Sequence, residues 1–412
     1  MIMLLPLLVT FGLSLKNIKW GVLALPAILP LYLWRGTFFG VPTTFLELSI
    51  YAVFLAWLIH LLIKRPKIIH KTPFTWPLVL LLATAVVSTI ISPDLRESLG
   101  LLKGWFIDPL LVYVLVVNVI KVADLKNLFF MLTASGGVFS VFGLYYILTG
   151  QLTYDGRLAI FFENPNQLSL YLVPVIILAL VCAQIFKDWR RHLSLVFLAL
   201  AATSLIFTYS YGGWLALIVS LVITSFLIWR RAWLAPIVGG GVLAALLFLR
   251  LANTQIASIL DFAGRSSSSA RLEIWQTSWR LVKENSLLGL GLGQFQPVYL
   301  GKIQEWLESP IELNVLHSHN IFFAFWLNLG FAGLIIFLWI LVNFFTLFVM
   351  LIKKIRGENR FILLGIFAVM TATVIHGLID VPYWKNDLSI IFILLLASLS
   401  IFHGQKRDPS KT

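Results

Sequence analysis

His317-Ser-His-Asn-Ile-Phe-Phe-Ala-Phe-Trp-Leu-Asn-Leu-Gly330 opens a mostly apolar run that continues to Ile352 and stops at Lys353-Lys354. A hydrocarbon core needs roughly 20 consecutive apolar residues in a helix. A run this long, closed by lysines, therefore reads as a membrane crossing rather than a buried helix of a soluble domain. Working outward, comparable runs lie near 1–15, 20–34, 44–63, 74–92, 106–120, 127–149 and 168–186, then near 193–209, 212–229, 232–249, 361–379 and 388–403. The first two are short enough for a hairpin that does not span, so about 12 to 13 crossings are expected.

Composition agrees. Of 412 residues 59% are hydrophobic and 12% charged, where soluble domains carry about a quarter charged residues. The 15 tryptophans suit an interfacial aromatic belt. Alternation of the outer-membrane barrel kind is absent, because the apolar stretches are continuous. The fold class expected is all-α and polytopic. The N-terminus, Met1-Ile-Met-Leu-Leu-Pro6, has no basic leader region and no clear small-residue cleavage site, so it is expected to be retained membrane structure. Cys182 is the single cysteine, which leaves no intramolecular disulfide and no cysteine-based metal site.

The net charge of +13 sits largely in short connections. Lys64-Arg65-Pro66-Lys67 with Lys71, Lys121 with Lys126, Lys187 with Arg190-Arg191, Arg230-Arg231, Lys353-Lys354 with Arg356 and Arg360, and Lys406-Arg407 separate alternate runs. All fit the cytoplasmic side without exception from residue 44 onward, which makes the excess a topology signal rather than a nucleic-acid-binding one. Connections 93–105, 150–167, 209–212, 250–320 and 380–387 then face outward. The fourth is too long for a plain connector, and loops of that length are usually functional. The chain divides into N-terminal helices 1–149, a region 150–403 that includes the external loop 250–320, and a tail 404–412.

Within that loop, Ser269–Glu284 predicts a helix with Leu272, Trp275, Trp279 and Val282 along one apolar stripe, lying on the outer interface. Leu288-Gly-Leu-Gly-Leu-Gly-Gln-Phe295 follows no strand and lacks the Gly-Lys-Ser/Thr ending of a phosphate loop. It reads as a tight turn that brings backbone close to a neighbour. His319 stands at the N-terminus of the quoted helix, whose dipole disfavours a positive charge there, so it can accept a proton. A satisfied interfacial histidine remains the alternative. His376 and Asp380, four apart, are expected on one helix face, with Lys385-Asn-Asp387 following; a functional patch and a structural ion-pair cap both fit. Arg157 and Asn164-Pro-Asn166 form either a helix cap or part of the same external site.

Together these segments resemble the O-antigen ligase and O-antigen polymerase superfamily of bacterial envelope glycan transferases. The sharpest likeness is His319-Asn320, nine residues, Gly330, two residues, Gly333. Arg271-x-x-x-Trp275, the 288–295 turn, Asn164-Pro-Asn166 and His376-Gly-Leu-Ile-Asp380 are similar too, so the resemblance covers roughly 150–390. One departure is Ser210-Tyr211-Gly212, where the family often has Ser-x-Ser-Arg-Gly. The resemblance implies a membrane glycosyltransferase of the C type, inverting and independent of metals and cofactors. It would transfer a glycan from undecaprenyl diphosphate to a glycan or lipid acceptor, at the outer face of the cytoplasmic membrane among membrane lipids.

In that scheme His319 is the base and Arg271 the clamp on the diphosphate, as catalytic candidates. Arg157, Asn166, Tyr211, Arg265, Asn320, His376, Asp380 and Lys385 are substrate-binding candidates. Alternatives are a repeat-unit polymerase of the same superfamily, a transporter or flippase, and a non-catalytic partner of a glycan-assembly complex.

Overall fold

A computed structural model describes residues 4–38, 40–65, 71–228, 239–242 and 267–405. The chain is an all-α, multi-pass membrane protein. Its helices are α1 (Leu4–Lys16), α2 (Ile18–Ala27), α3 (Phe45–Lys64), α4 (Thr75–Ile91) and α5 (Leu95–Leu102). Next come α6 (Asp108–Val119), α7 (Leu125–Leu148), α8 (Pro165–Ile185), α9 (Trp189–Phe207) and α10 (Tyr211–Ser225). The last five are α11 (Ser267–Glu284), α12 (Phe295–Trp306), α13 (Ile321–Ile352), α14 (Glu358–Gly377) and α15 (Asn386–Gln405). A π-helical turn, Lys103–Ile107, joins α5 to α6 without a break.

Among the described residues eight helices are long and apolar enough to cross a membrane, fewer than the 12 to 13 runs counted in the sequence. Four other runs form shorter apolar helices of 10–17 residues. The run 232–249 lies mostly outside the described residues. α8 and the α15 span have 83% of their central windows buried, so they form the centre, whereas α9 at 28% lies outermost. One apolar core extends from Val22 to Phe402 and so draws on both ends of the chain. Tyr113 Oη on α6 bonds Ser400 Oγ on α15 at 2.9 Å, a polar clasp inside that core.

The sequence shows no strand, yet Arg35–Phe38 (β1) and Val41–Thr44 (β2) pair as an antiparallel hairpin. Gly40, at φ 78°, sits in its turn. The hairpin delivers Thr44 as the cap of α3: Thr44 Oγ1 accepts the Glu47 N–H at 3.2 Å, while Glu47 Oε2 accepts the Thr44 N–H at 3.2 Å.

The quoted apolar run is not one straight helix. Gly330, at φ 72° and ψ −176°, breaks α13 after its first turns. The backbone groups freed there are taken up by the 286–293 turn. Leu290 N–H donates to Leu327 O at 2.7 Å, Phe331 N–H to Leu287 O at 3.1 Å, and Gly293 N–H to Asn328 Oδ1 at 3.0 Å. A Cβ on Gly289 would lie 2.6 Å from Leu327 O, and one on Gly330 would collide with Leu287 O. The glycine-rich stretch and the Gly-x-x-Gly helix are therefore two halves of one backbone contact, the close approach expected of the turn. Gly330→Ala should lower stability by about 1–3 kcal/mol from the strained backbone alone, before Leu287 is displaced. Gly100→Ala, whose added Cβ meets nothing within 4 Å, should not destabilise. Thermal melts in detergent compare the two; equal midpoints would remove the role assigned to Gly330.

Helix α11 forms as expected. Ala270, Ile274, Ser278 and Leu281 are buried together with Val282 of the predicted stripe, while Leu272 and Trp279 of that stripe are 44% and 47% exposed, as an interfacial placement allows. Trp279 meets Trp326 of α13 edge-on at 6.1 Å.

Among the described residues three of the basic connections meet neighbouring helix ends. Lys126 lies 2.9 Å from Glu358, Arg190 Nη1 donates to Asn127 Oδ1 at 3.0 Å, and Arg360 Nη2 to Leu227 O at 2.9 Å.

Candidate functional site

Connections 150–167, 307–320 and 378–385, with the start of α11, enclose a cavity of about 590 Å³. Arg157, Asn166, Arg271, His319, Asp380 and Lys385 all line it. Six sequence candidates, drawn from four separate segments, thus share one space. Tyr211, Asn320 and His376 are not part of its lining, and Arg265 lies outside the described residues.

His319 is placed by backbone geometry before its side chain does anything. Asn320 caps α13, its Oδ1 accepting the N–H groups of Phe322 at 2.9 Å and Phe323 at 3.2 Å. Its Nδ2 donates to Leu378 O at 3.0 Å. Those contacts occupy the Asn320 amide, so this residue ties α13 to the turn that carries Asp380 and acts at the cavity's edge, not within it. The preceding His319 is forced to φ 46°, a left-handed conformation costly for a side chain of this size. Trp275 of α11 secures it, Nε1 donating to His319 O at 3.0 Å.

The imidazole Nδ1 then stands 3.5 Å from Asp380 Oδ1, an ion-pair approach looser than a formed hydrogen bond. This corrects the expected pairing of Asp380 with His376. Asp380 lies past the end of α14, its N–H donating to His376 O at 2.9 Å, and its side chain contacts His319 instead. His376 is buried at the end of α14, where a Cβ on Gly212 would meet its ring at 3.2 Å. Burial works against a charge on Asp380, but the facing His319, then His376 and Arg271, outweigh it and hold the carboxyl far below the usual carboxylate range. His317 goes the other way: burial, with Lys385 and His319 nearby, lowers it to about 3, so it is neutral near pH 7.

Arg157 and Asn166 come together as well. Arg157 Nη2 donates to Asn166 Oδ1 at 2.7 Å and Nε to Thr208 O at 2.7 Å, with Asp155 3.8 Å from Nη1. Asn164, two residues earlier, caps α8 through the Gln167 N–H at 2.9 Å. The cap reading and the site reading of this segment therefore hold together. Arg157 also anchors the carbonyl of Thr208, next to Tyr209 at φ 47° and just before Tyr211. Tyr211 sets its ring edge-on to Trp214 at 5.5 Å.

Lys385 Nζ binds Glu163 Oε2 at 2.7 Å, across 222 residues of sequence. Burial raises the Glu163 carboxyl, yet the bond and charge of Lys385 win and lower it. Glu163 and His317 are among the lining residues that sequence reasoning missed, as are Asp155 and Glu312. Glu163 and His317 adjoin recognisable signals, the Asn164 cap and the His319-Asn320 pair, but have no pattern of their own.

The cavity carries both signs. Asp155, Glu163, Glu312 and Asp380 line it beside Arg157, Arg271 and Lys385. Anion binding there depends on where the guanidiniums sit, not on net charge. Chemically, the arrangement offers an imidazole backed by an ionised carboxylate, beside two arginines able to grip phosphate oxygens.

Residues 195–338 match the O-antigen ligase family. The chain is also 24% identical, over 349 residues, to an O-antigen ligase of Salmonella typhimurium, covering 79% of this chain and 83% of that protein. Both findings support the O-antigen ligase superfamily and a role in envelope polysaccharide assembly.

Proposed function

We propose that this protein, with that superfamily as the starting point, transfers a glycan from an undecaprenyl-diphosphate donor to an acceptor hydroxyl on the outer side of the cytoplasmic membrane. The observation that carries the proposal is the convergence of His319, Asp380, Arg271 and Arg157 on one cavity, at the helix ends opposite those that the basic connections join. The positive-inside rule assigns that basic end to the cytoplasm, which supports a cavity that opens on the other side.

In this reading the acceptor hydroxyl binds against His319, which takes its proton as the oxygen attacks the anomeric carbon. Asp380, facing Nδ1, holds the proton on that nitrogen and leaves Nε2 to act as base. Attack from the face opposite the leaving diphosphate inverts the anomeric centre. Arg271 and Arg157 stabilise the charge that builds on the departing diphosphate, without a metal ion. At an effective dielectric near 20, one such contact at 4 Å is worth about 4 kcal/mol before desolvation.

Mass analysis of lipid-linked glycans in a deletion strain tests the reading. Long undecaprenyl-linked chains lacking attachment should accumulate, and complementation should clear them. Accumulated single repeats would reassign the chain as a polymerase, and an unchanged glycan pool would remove glycan transfer altogether.

A further inference from the structure

A second cavity of about 460 Å³ adjoins the first, and Glu163, Leu316, His317 and Lys385 line both. Its volume falls within the ~300–1,000 Å³ of small-ligand sites. One side is built by the β1–β2 hairpin and the start of α3, the other by the joint between α5 and α6. Its charges cancel: Arg35, Lys103 and Lys385 against Glu47, Glu97 and Glu163. Most are already matched, Lys103 Nζ lying 2.9 Å from Glu47 Oε2, Lys385 Nζ 2.7 Å from Glu163 and Arg35 Nη2 3.8 Å from Glu163. Aromatic rings stand among them: Tyr32, Trp105, Phe295 and Trp384. Trp384 is 1% exposed and among the described residues its indole N–H has no hydrogen-bond partner; nor has His317 Nε2, in the shared wall. Buried polar atoms left so are costly, and a ligand hydroxyl would satisfy them.

We propose that this second cavity binds a saccharide. A sugar ring has apolar C–H faces for the aromatic rings and hydroxyls for Trp384 N–H and His317 Nε2, and it carries no charge for a balanced site to repel. An anion would have to separate pairs already formed, at the cost of stranding a buried carboxylate such as Glu47. Because the Glu163–Lys385 bond and His317 are common walls, a saccharide held here abuts the space that contains His319. The source of the saccharide rests on the proposed function: it belongs either to the acceptor or to the sugars of the donor.

Cysteine protection tests this in the full-length protein, since Cys182 is the single cysteine and is buried. Glu97→Cys places a thiol on the second cavity and Glu312→Cys places one on the first; both native side chains are exposed. Maleimide labelling is timed with three probes: core oligosaccharide freed from lipid A, repeat-unit oligosaccharide freed from its carrier, and undecaprenyl diphosphate. At about ten times its Kd, one of the saccharides should slow labelling of the Glu97→Cys thiol about tenfold, as mass action requires. Trp105→Ala in the same protein should abolish that protection. Whichever oligosaccharide protects identifies the source. If neither saccharide slows the reaction, or only undecaprenyl diphosphate does, the second cavity is not a saccharide site. The donor reading fails separately, if undecaprenyl diphosphate leaves the Glu312→Cys thiol unprotected.

Discussion

His319→Ala should lower the proposed glycan transfer on the order of 10²–10⁴-fold, the usual contribution of a positioned general base. The side chain is only partly buried and its backbone carbonyl, not its ring, holds Trp275. Alanine therefore keeps the Trp275 bond and the Asn320 cap, and the variant should insert and elute as the wild type does. Asp380→Asn separates the role of the ring from that of its partner. An amide keeps the shape but no longer favours the proton on Nδ1, so the rate drops while donor affinity holds. The pH dependence follows from the direction of the Asp380 shift. Its carboxyl is depressed in the folded protein, so its stabilising contacts are complete above the ordinary carboxylate value of about 3.9 and disappear only as the pH falls through the lower, folded value. The part of the midpoint difference between wild type and Asp380→Asn that comes from protonation of this carboxyl should accordingly fade only below about pH 3.9, which thermal melts at falling pH check. Near-normal turnover by purified His319→Ala would move the base elsewhere or end base catalysis as the mechanism.

Arg271→Ala should cost about as much as removing one charged donor from a transition-state site, on the order of 10²–10³-fold in kcat. Arg271→Lys is the sharper test. A lysine retains the charge but not the planar fork that grips two phosphate oxygens, so it should remain badly impaired. It would recover activity only if Arg271 served as a point charge near Asp380, on which its field already acts. Transfer rates of purified Arg271→Ala and Arg271→Lys at saturating donor decide between these. Full activity of the lysine variant would leave Arg271 as a point charge and shift the bidentate clamp to Arg157, which is bonded to Asn166 and Thr208.

Membrane class and most helix positions were legible in the linear chain because hydropathy is a one-dimensional property. Candidate residues were legible for a related reason. His319, Arg271, Arg157, Asp380 and Lys385 are polar groups at or near helix ends, where keeping them near lipid is expensive. Contacts across the bundle were not. That Asp380 meets His319 rather than His376 depends on where α14 stops, and the Lys385–Glu163 bond joins residues 222 apart. Which face of α11 packs inward was not legible either, because only the fold shows that Ala270, Ile274, Ser278 and Leu281 are buried while Leu272 and Trp279 stay exposed.

The order of residues by itself thus determined a multi-pass helical protein with one long connection between apolar runs and a short set of chemically capable side chains. Only the tertiary structure decided that six of them share a cavity, that His319 is held in a left-handed turn between Trp275 and the α13 cap, and that a second, charge-balanced cavity lies against the first. The reason is physical. Burial in a membrane is set residue by residue along the chain, whereas a site is set by distances between helices, which depend on packing over the whole bundle.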